Sequence, residues 1–268
     1  MPAPADSPTV TDWGPLAARL AAIPEGMRLA LAARDLDSGS TLDHDADRTV
    51  TAASTIKTLI LATVARALDA GDLQLDTEIE IRDEWRIGGS GVVNWLHRGI
   101  TLPVEDLAWL MIAISDNTTS NALIETVGLR TVQETAIALD VPSLHLGRRF
   151  YGYLPEGETN INAVTARGLT DLLTGIWRDE VASPERCAWM RKLHADQQHR
   201  DRLPRRLPEG VTYAGKTGTL NGISHDIGVI SGPNGEIAIS ALVESTCDHH
   251  DDDAFLGDIG AAVAEIVS

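Results

Sequence analysis

Ser54 and Lys57 stand three residues apart in Thr51-Ala52-Ala53-Ser54-Thr55-Ile56-Lys57, directly before the apolar stretch TLILATVARAL. At helical spacing the hydroxyl and the amine share one face. A serine in the first helical turn would lie beside backbone N–H groups that have no partner within the helix, and these can stabilise a developing oxyanion. The turns that follow are apolar nearly all round (Ile56, Leu59, Ile60, Leu61, Val64), which predicts a buried helix. Burial disfavours the charge of a lysine, so a neutral Lys57 could take the Ser54 proton and activate the hydroxyl. Taken alone, the pair reads more simply as a helix-capping serine with a surface lysine.

Two further segments change that reading. Ser115-Asp116-Asn117 follows the apolar run 107–114, and Gly215-Lys216-Thr217-Gly218-Thr219 comes closer to the C-terminus. The three segments form, in order, the S-x-x-K, S-D-N and K-T-G set of class A β-lactamases and penicillin-binding proteins. The chain thus resembles that superfamily of serine hydrolases, from its early hairpin to its last helix. The resemblance implies Ser54 as the acylated nucleophile and Lys57 as its base or proton relay. It implies that Ser115 passes a proton to the leaving nitrogen and that Asn117 holds an amide side chain of the substrate. Lys216 and Thr217 would meet a substrate carboxylate, and the backbone of Thr219 would complete an oxyanion hole with that of Ser54. His225, nine residues past Lys216, lies near the place where related enzymes often keep a basic group for the carboxylate; it also reads as a strand-end histidine without function. Amide cleavage needs a nucleophile, a base, a proton donor and an electrostatic cradle, and the set supplies each once.

The sequence departs from the resemblance in one place. Class A enzymes carry a water-activating glutamate after S-D-N, in an E-x-x-x-N pattern. The stretch SLHLGRRFYGYLPEGETNIN offers Glu156 and Glu158, neither with an asparagine four residues on, since Asn160 and Asn162 fall out of register. Acylation is therefore provided for, and hydrolysis of the acyl-enzyme less so. Lys57 could serve both steps, as could Tyr151 or Tyr153, each of which also reads as a packing residue with a wet tip. A slow water step leaves the acyl group for an amine or alcohol, so acyl transfer stands beside hydrolysis.

The elements that must position these residues are legible in outline. Segments 28–36 and 41–47 read as strands around the turn Asp37-Ser38-Gly39-Ser40, and 225–231 and 236–244 as a second hairpin. Helices are expected at 12–23, 54–70, 103–113, 117–127, 131–139, 163–178, 184–198 and 252–267. Strands cluster at both ends and helices fill the centre. The expected fold is of the α/β class (α+β type) and β-lactamase/transpeptidase-like, an antiparallel sheet from both chain termini with an inserted all-helical lobe. Within one unit, 1–268, the sheet lobe is expected from 1–53 plus 206–268 and the helical lobe from 54–205, with the small-molecule site between them. Gly88-Gly89-Ser90-Gly91 lacks the G-x-S-x-G order and reads as a turn, while the run from Cys247 to Asp253 resembles metal ligands but reads better as the acidic start of the last helix.

The bulk numbers agree with a catalytic domain. A net charge of −17 over 268 residues repels phosphate backbones and anionic membranes, which argues against nucleic-acid and membrane partners. No apolar run reaches the length of a membrane span or a signal peptide, and two distant cysteines give no disulfide framework, so a cytoplasmic protein is expected. No cofactor motif and no metal set stands out. The leading expectation is a serine hydrolase that cleaves a cyclic or activated amide, a β-lactam among the candidates, through acyl-Ser54. The alternatives are a cytoplasmic transacylase or esterase of small-molecule biosynthesis and, from another class, a non-catalytic ligand sensor.

Overall fold

The computed structural model describes residues 11–151, 157 and 161–268. In chain order the elements are α1 (Gly14–Leu20), β1 (Met27–Asp35), β2 (Thr41–His44), β3 (Val50–Thr51), α2 (Lys57–Ala70), β4 (Glu78–Glu80), β5 (Thr101–Pro103), α3 (Val104–Ala113), α4 (Asn117–Val127) and α5 (Leu129–Ala138). They continue with β6 (Ala163–Val164), α6 (Ala166–Trp177), α7 (Pro184–Ala195), β7 (Thr212–Leu220), β8 (Ile223–Gly232), β9 (Gly235–Ser245) and α8 (His249–Val267). Strands from both chain ends form one five-stranded sheet, ordered β2-β1-β9-β8-β7, in which every neighbouring pair is antiparallel. The sequence predicts an antiparallel sheet from both chain ends with four of these strands, and β7, which carries Lys216, adds a fifth. Among the described residues, no helix is long and apolar enough to cross a membrane.

The central strands are apolar on both faces because each face is covered. Along β1, Leu29, Leu31 and Ala33 enter a core shared with α1 and α8, while Ala30 and Ala32 enter the larger core on the other side. The period of two along a strand divides the residues in this way. In the larger core α2 is buried almost all round: Leu59, Ile60, Leu61 and Val64 are fully covered. A helix apolar on every side belongs at the centre of a domain, and α2 ends on Gly71 in the left-handed conformation that suits glycine (φ 78°).

Several boundaries differ from the sequence expectation, each with a physical reason. The helix expected from 54 begins at Lys57, after a turn over 53–56. The helix expected from 163 begins after Thr165, whose side chain caps it by accepting from Gly168 N. The residues ahead of it, Ala163 and Val164, instead pair with Thr51 and Val50. The last helix starts three residues early, capped by Asp248, which accepts from the backbone N–H of His250. Acids at that end match the helix dipole.

Candidate active site

Ser54 is held between a strand end and a helix start. Thr51 closes β3 against Ala163, and Ala52 N donates to Asn162 O at 2.8 Å. Ala53 then takes a left-handed backbone (φ 46°), and Lys57 N and Thr58 N reach back three residues to Ser54 O and Thr55 O, both at 3.2 Å. Ser54 therefore sits in a tight turn ahead of α2, one step outside the first helical turn where the sequence places it. Besides Ala53, the described non-glycine residues with positive φ are three aspartates and Ser115 (φ 58°). Aspartate tolerates that region; alanine and serine are held there at a cost of about 1–3 kcal/mol each. Ser115 opens the S-D-N motif and Ala53 directly precedes the S-x-x-K motif, so the strain falls where the two meet.

On the helical side, Lys57 is fully buried. Its Nζ donates to the Ser115 carbonyl (2.7 Å), to Ser115 Oγ (3.1 Å) and to Asn117 Oδ1 (2.8 Å), and it lies 4.5 Å from the centre of the Phe150 ring. Burial first, and then the charge of Lys216, push its pKa well below the ordinary lysine value, with Asp116 pulling the other way. Asn117 also donates through Nδ2 to Gly88 O (3.1 Å), and its backbone N–H to Ser90 O (3.1 Å). Asp116 points away from the cleft as a brace: its carboxylate accepts from Val92 N, Val93 N and Thr119 N. Gly91 (φ 100°) leaves room for it, since a Cβ there would come within 2.2 Å of the Asp116 carboxyl. The turn read from Gly88-Gly89-Ser90-Gly91 is thus also a wall of the cleft, a role that its residue types do not reveal.

On the sheet side, β7 is an edge strand, and it lies against the Ser54 turn because Gly218 has no side chain. A Cβ at Gly218 would stand 3.1 Å from Ser54 N. Along an edge strand the backbone N–H groups facing outward have no strand partner, and Thr219, exposed, follows Gly218 at that edge. Lys216 is fully buried, donates to Thr217 O at 2.8 Å and is brought down to about 7, mainly by burial and partly by Arg202, against the pull of Asp226. Burial raises Asp226 to about 7, although it accepts from Tyr213 Oη and Leu203 N. Arg202 spans this side: it donates to Gly218 O (3.0 Å), His225 O (2.8 Å) and Thr219 Oγ1 (2.7 Å) and pairs with Asp253 at 2.7 Å.

Two cavities open on Ser54. The larger, about 210 Å³, is walled by Ser90, Asn117, Phe150, Tyr151, Asn162 and Thr219 among others, none of its described walls being a carboxylate. The smaller, about 100 Å³, is lined by Ser115, His199, Asp201, Arg202, Thr217 and Thr219. Ser54, Ser115, Asn117, Thr217 and Thr219 therefore meet at one place, with Lys57 and Lys216 buried behind them. His225 does not join them. Its ring is fully buried, its Nε2 lies 3.0 Å from Thr51 O, burial lowers its pKa to about 4, and it lines neither cavity. The expected carboxylate contact through His225 is corrected accordingly: the cationic side chain at the smaller cavity is Arg202. Sequence reasoning passed over Arg202, whose one signal is the basic run His199-Arg200-Asp201-Arg202 upstream of the K-T-G strand. Tyr151 is a cleft wall with its ring under the Arg148 guanidinium (4.6 Å). Tyr153, Glu156, Glu158 and Asn160 lie outside the described residues.

The five-stranded antiparallel sheet, the buried lysine on α2 and the two cavities that open on Ser54 are those of a β-lactamase-type serine hydrolase fold. The chain belongs to the Beta-lactamase enzyme family, whose model matches residues 15–267. A β-lactamase from Sphaerobacter thermophilus is 34% identical and superimposes with a TM-score of 0.90, over 95% of this chain and 97% of that one. A β-lactamase from Xanthomonas campestris is 25% identical at a TM-score of 0.86, over 94% and 97%. A protein from Streptomyces cacaoi described as β-lactamase regulatory protein BlaB is 28% identical, covering 82% of this chain and 85% of its own length.

Proposed function

We propose that this protein opens a cyclic or activated amide, a β-lactam among the candidates, by transferring its acyl group to Ser54. The observation that carries the reading is the bonding of the buried Lys57 amine to Ser115 and Asn117 at the cleft that exposes Ser54. Burial lowers the pKa of Lys57 well below the ordinary lysine value, so its amine gives up its charge more readily and, once neutral, can take the Ser54 proton as Oγ attacks the carbonyl carbon. The proton then has a path through Ser115 Oγ to the departing nitrogen. Backbone N–H groups of Ser54 and Thr219 would receive the oxyanion. The Arg202 guanidinium, with Thr217 and Thr219, would receive an anionic group of the substrate in the smaller cavity, above the Lys216 charge. The partner implied is a small molecule and the expected site of action cytoplasmic; neither nucleic acid nor membrane is required.

A second reading, acyl transfer to an acceptor other than water, is favoured by the phenyl ring of Phe150 beside Lys57, where a hydrolytic base would be useful. The regulatory description of the Streptomyces cacaoi relative favours a third, a sensor that reports its ligand. Intact-mass measurement during incubation with a penicillin-type β-lactam separates them, with Ser54→Ala as the control. A Ser54-dependent adduct that clears to ring-opened product is the hydrolase outcome. A persistent adduct points to transfer or signalling, and binding without any adduct sinks the acyl-enzyme reading.

A further inference from the structure

The smaller cavity is walled by two ionised side chains that are neighbours in the chain and differ in their partners. Arg202 is buried and already paired with Asp253 at 2.7 Å. Asp201 is exposed at the cavity mouth, and its carboxylate has no hydrogen bond or ion pair among the described residues. Arg200, on its other side in the chain, lies over the Tyr213 ring instead, 5.9 Å from its centre. Among the described walls of both cavities, Asp201 is the one carboxylate.

His199 completes this mouth. Its backbone N–H donates to Gln197 Oε1 at 2.9 Å, and its ring bonds the carbonyl of Ile114, the residue before Ser115. Partial burial first, and then the Lys216 charge, hold its pKa below the ordinary histidine value, although Asp201 is near enough to pull the other way. A neutral imidazole that donates through one nitrogen offers the other as an acceptor. The mouth of the cavity thus carries two acceptors, and its inner wall carries the Arg202 guanidinium and Thr217. Acceptors outside and donors inside suit a group with a positive and a negative end.

Resting on the acyl-Ser54 reading above, we infer that Asp201 and His199 form a subsite for an ammonium group, so that the smaller cavity takes a small zwitterion, its ammonium at the mouth and its carboxylate at Arg202 and Thr217. The chemical class is the head group of a free α-amino acid whose side chain gives or receives the acyl group. On a donor, Ser54 Oγ bonds to the carbonyl carbon, the bond from that carbon to the side-chain nitrogen or oxygen breaks, and the Ser54 proton ends on the departing atom. On an acceptor, a side-chain amine attacks the acyl-Ser54 carbonyl, the bond to Oγ breaks, and a proton of the amine returns to Oγ.

Two cephalosporins that differ in one substituent test the donor side. Both carry the ring carboxylate and the same acyl side chain; the neighbouring ring carbon bears an aminomethyl group in one and its uncharged acetylated form in the other. The quantity read is the ratio of their second-order rates of Ser54 adduct formation, followed by intact mass. It should be about tenfold higher in the wild type than in Asp201→Asn, the scale of one charge-assisted contact, and comparing ratios cancels any difference in ring reactivity. His199→Phe, which keeps a ring without an acceptor, should lower the ratio about threefold. Salt at about 1 M should shrink the wild-type ratio, since the mouth is open to solvent. The acceptor side starts from protein acylated with a penicillin and offers free ornithine or its Nα-acetyl form, with the transferred product identified by mass. An Asp201-dependent preference in the first pair puts the ammonium on the departing group, and one in the second pair puts it on the acceptor. Ratios that Asp201→Asn leaves unchanged in both pairs overturn the inference alone and leave acyl-Ser54 standing. No adduct with any donor overturns it together with the reading beneath it.

Discussion

The cleft has two lysines, one on its helical side and one on its sheet side, both fully buried and both depressed in pKa by that burial, and their neighbours make them different reagents. Lys57 meets two side-chain oxygens that can move protons or orient a substrate, Ser115 Oγ and Asn117 Oδ1. Lys216 meets a backbone carbonyl and feels a carboxylate, Asp226, that holds part of its charge in place. On the proposed reading the same residue type, equally buried, would serve as a base where proton-relaying groups surround it and as a source of positive potential where a carboxylate favours its charge. Burial alone does not assign a role.

The strongest way to break that division is to exchange each lysine for methionine, which keeps length and apolar bulk. Lys57→Met should lower the rate of Ser54 adduct formation about 10³-fold, the scale of a lost general base, with carboxylate-bearing and neutral acyl donors affected alike. Lys216→Met should cost roughly 10- to 100-fold, the scale of one charge-assisted contact, and only with donors that carry a carboxylate. Second-order acylation rates by mass spectrometry on a matched pair of donors decide it. If Lys216→Met damages the neutral donor as much as Lys57→Met does, the two sides are not separate functions.

Arg202 gives a smaller effect that shows how much of the sheet side is built by one residue. Its side chain is nearly buried and holds two strand carbonyls, a threonine hydroxyl and Asp253. Removing it in Arg202→Ala leaves Asp253 and two carbonyls without their donor, for an expected loss of about 3 kcal/mol of stability by urea denaturation. The midpoint should fall with little change in slope. A variant as stable as the wild type would mean that Arg202 is a ligand-binding group with no structural share.

How far the cleft was legible in the sequence follows from the same contrast. Ser54, Lys57, Ser115, Asn117 and the Lys216 motif announce themselves because their pattern is local: a few residues at fixed spacing contain the expected nucleophile, base and relay. The antiparallel sheet was legible because apolar strands with tight turns stand at both chain ends. What was not legible depends on tertiary neighbours. Phe150 reads as one aromatic residue in an Arg- and Tyr-rich loop, and only the hydrogen bonds of its backbone to Asn121 bring it to Lys57. Arg202 belongs to no periodic pattern and acquires its role from β7 and α8. His225 was misplaced for the opposite reason, since a position near the motif in sequence says nothing about which face of β8 the ring takes. The start of α2 was placed at Ser54 because apolar periodicity cannot show that Ala53 adopts a positive φ.

The pH dependence sharpens the comparison with the smallest expected effect. Lys57, depressed well below the usual lysine value, must be neutral to act as a base, so acylation rises with pH along an acidic limb for every donor. Lys216 sits at about 7 and Asp226 at about 7, depressed and raised respectively by burial. As pH increases through that value, the lysine loses a positive charge or the aspartic acid gains a negative one. Each proton released makes the region behind the smaller cavity less positive by one unit. A carboxylate-bearing donor should therefore acylate about tenfold more slowly at pH 8.5 than at pH 6, the remaining Arg202 charge limiting the loss, whereas a neutral donor should show no falling limb. Asp226→Asn removes the charge that raises Lys216, so the falling limb should move to lower pH. A limb that appears for both donors would assign the titration to the acylation chemistry, and the sheet-side lysine would then share the work of the helical one.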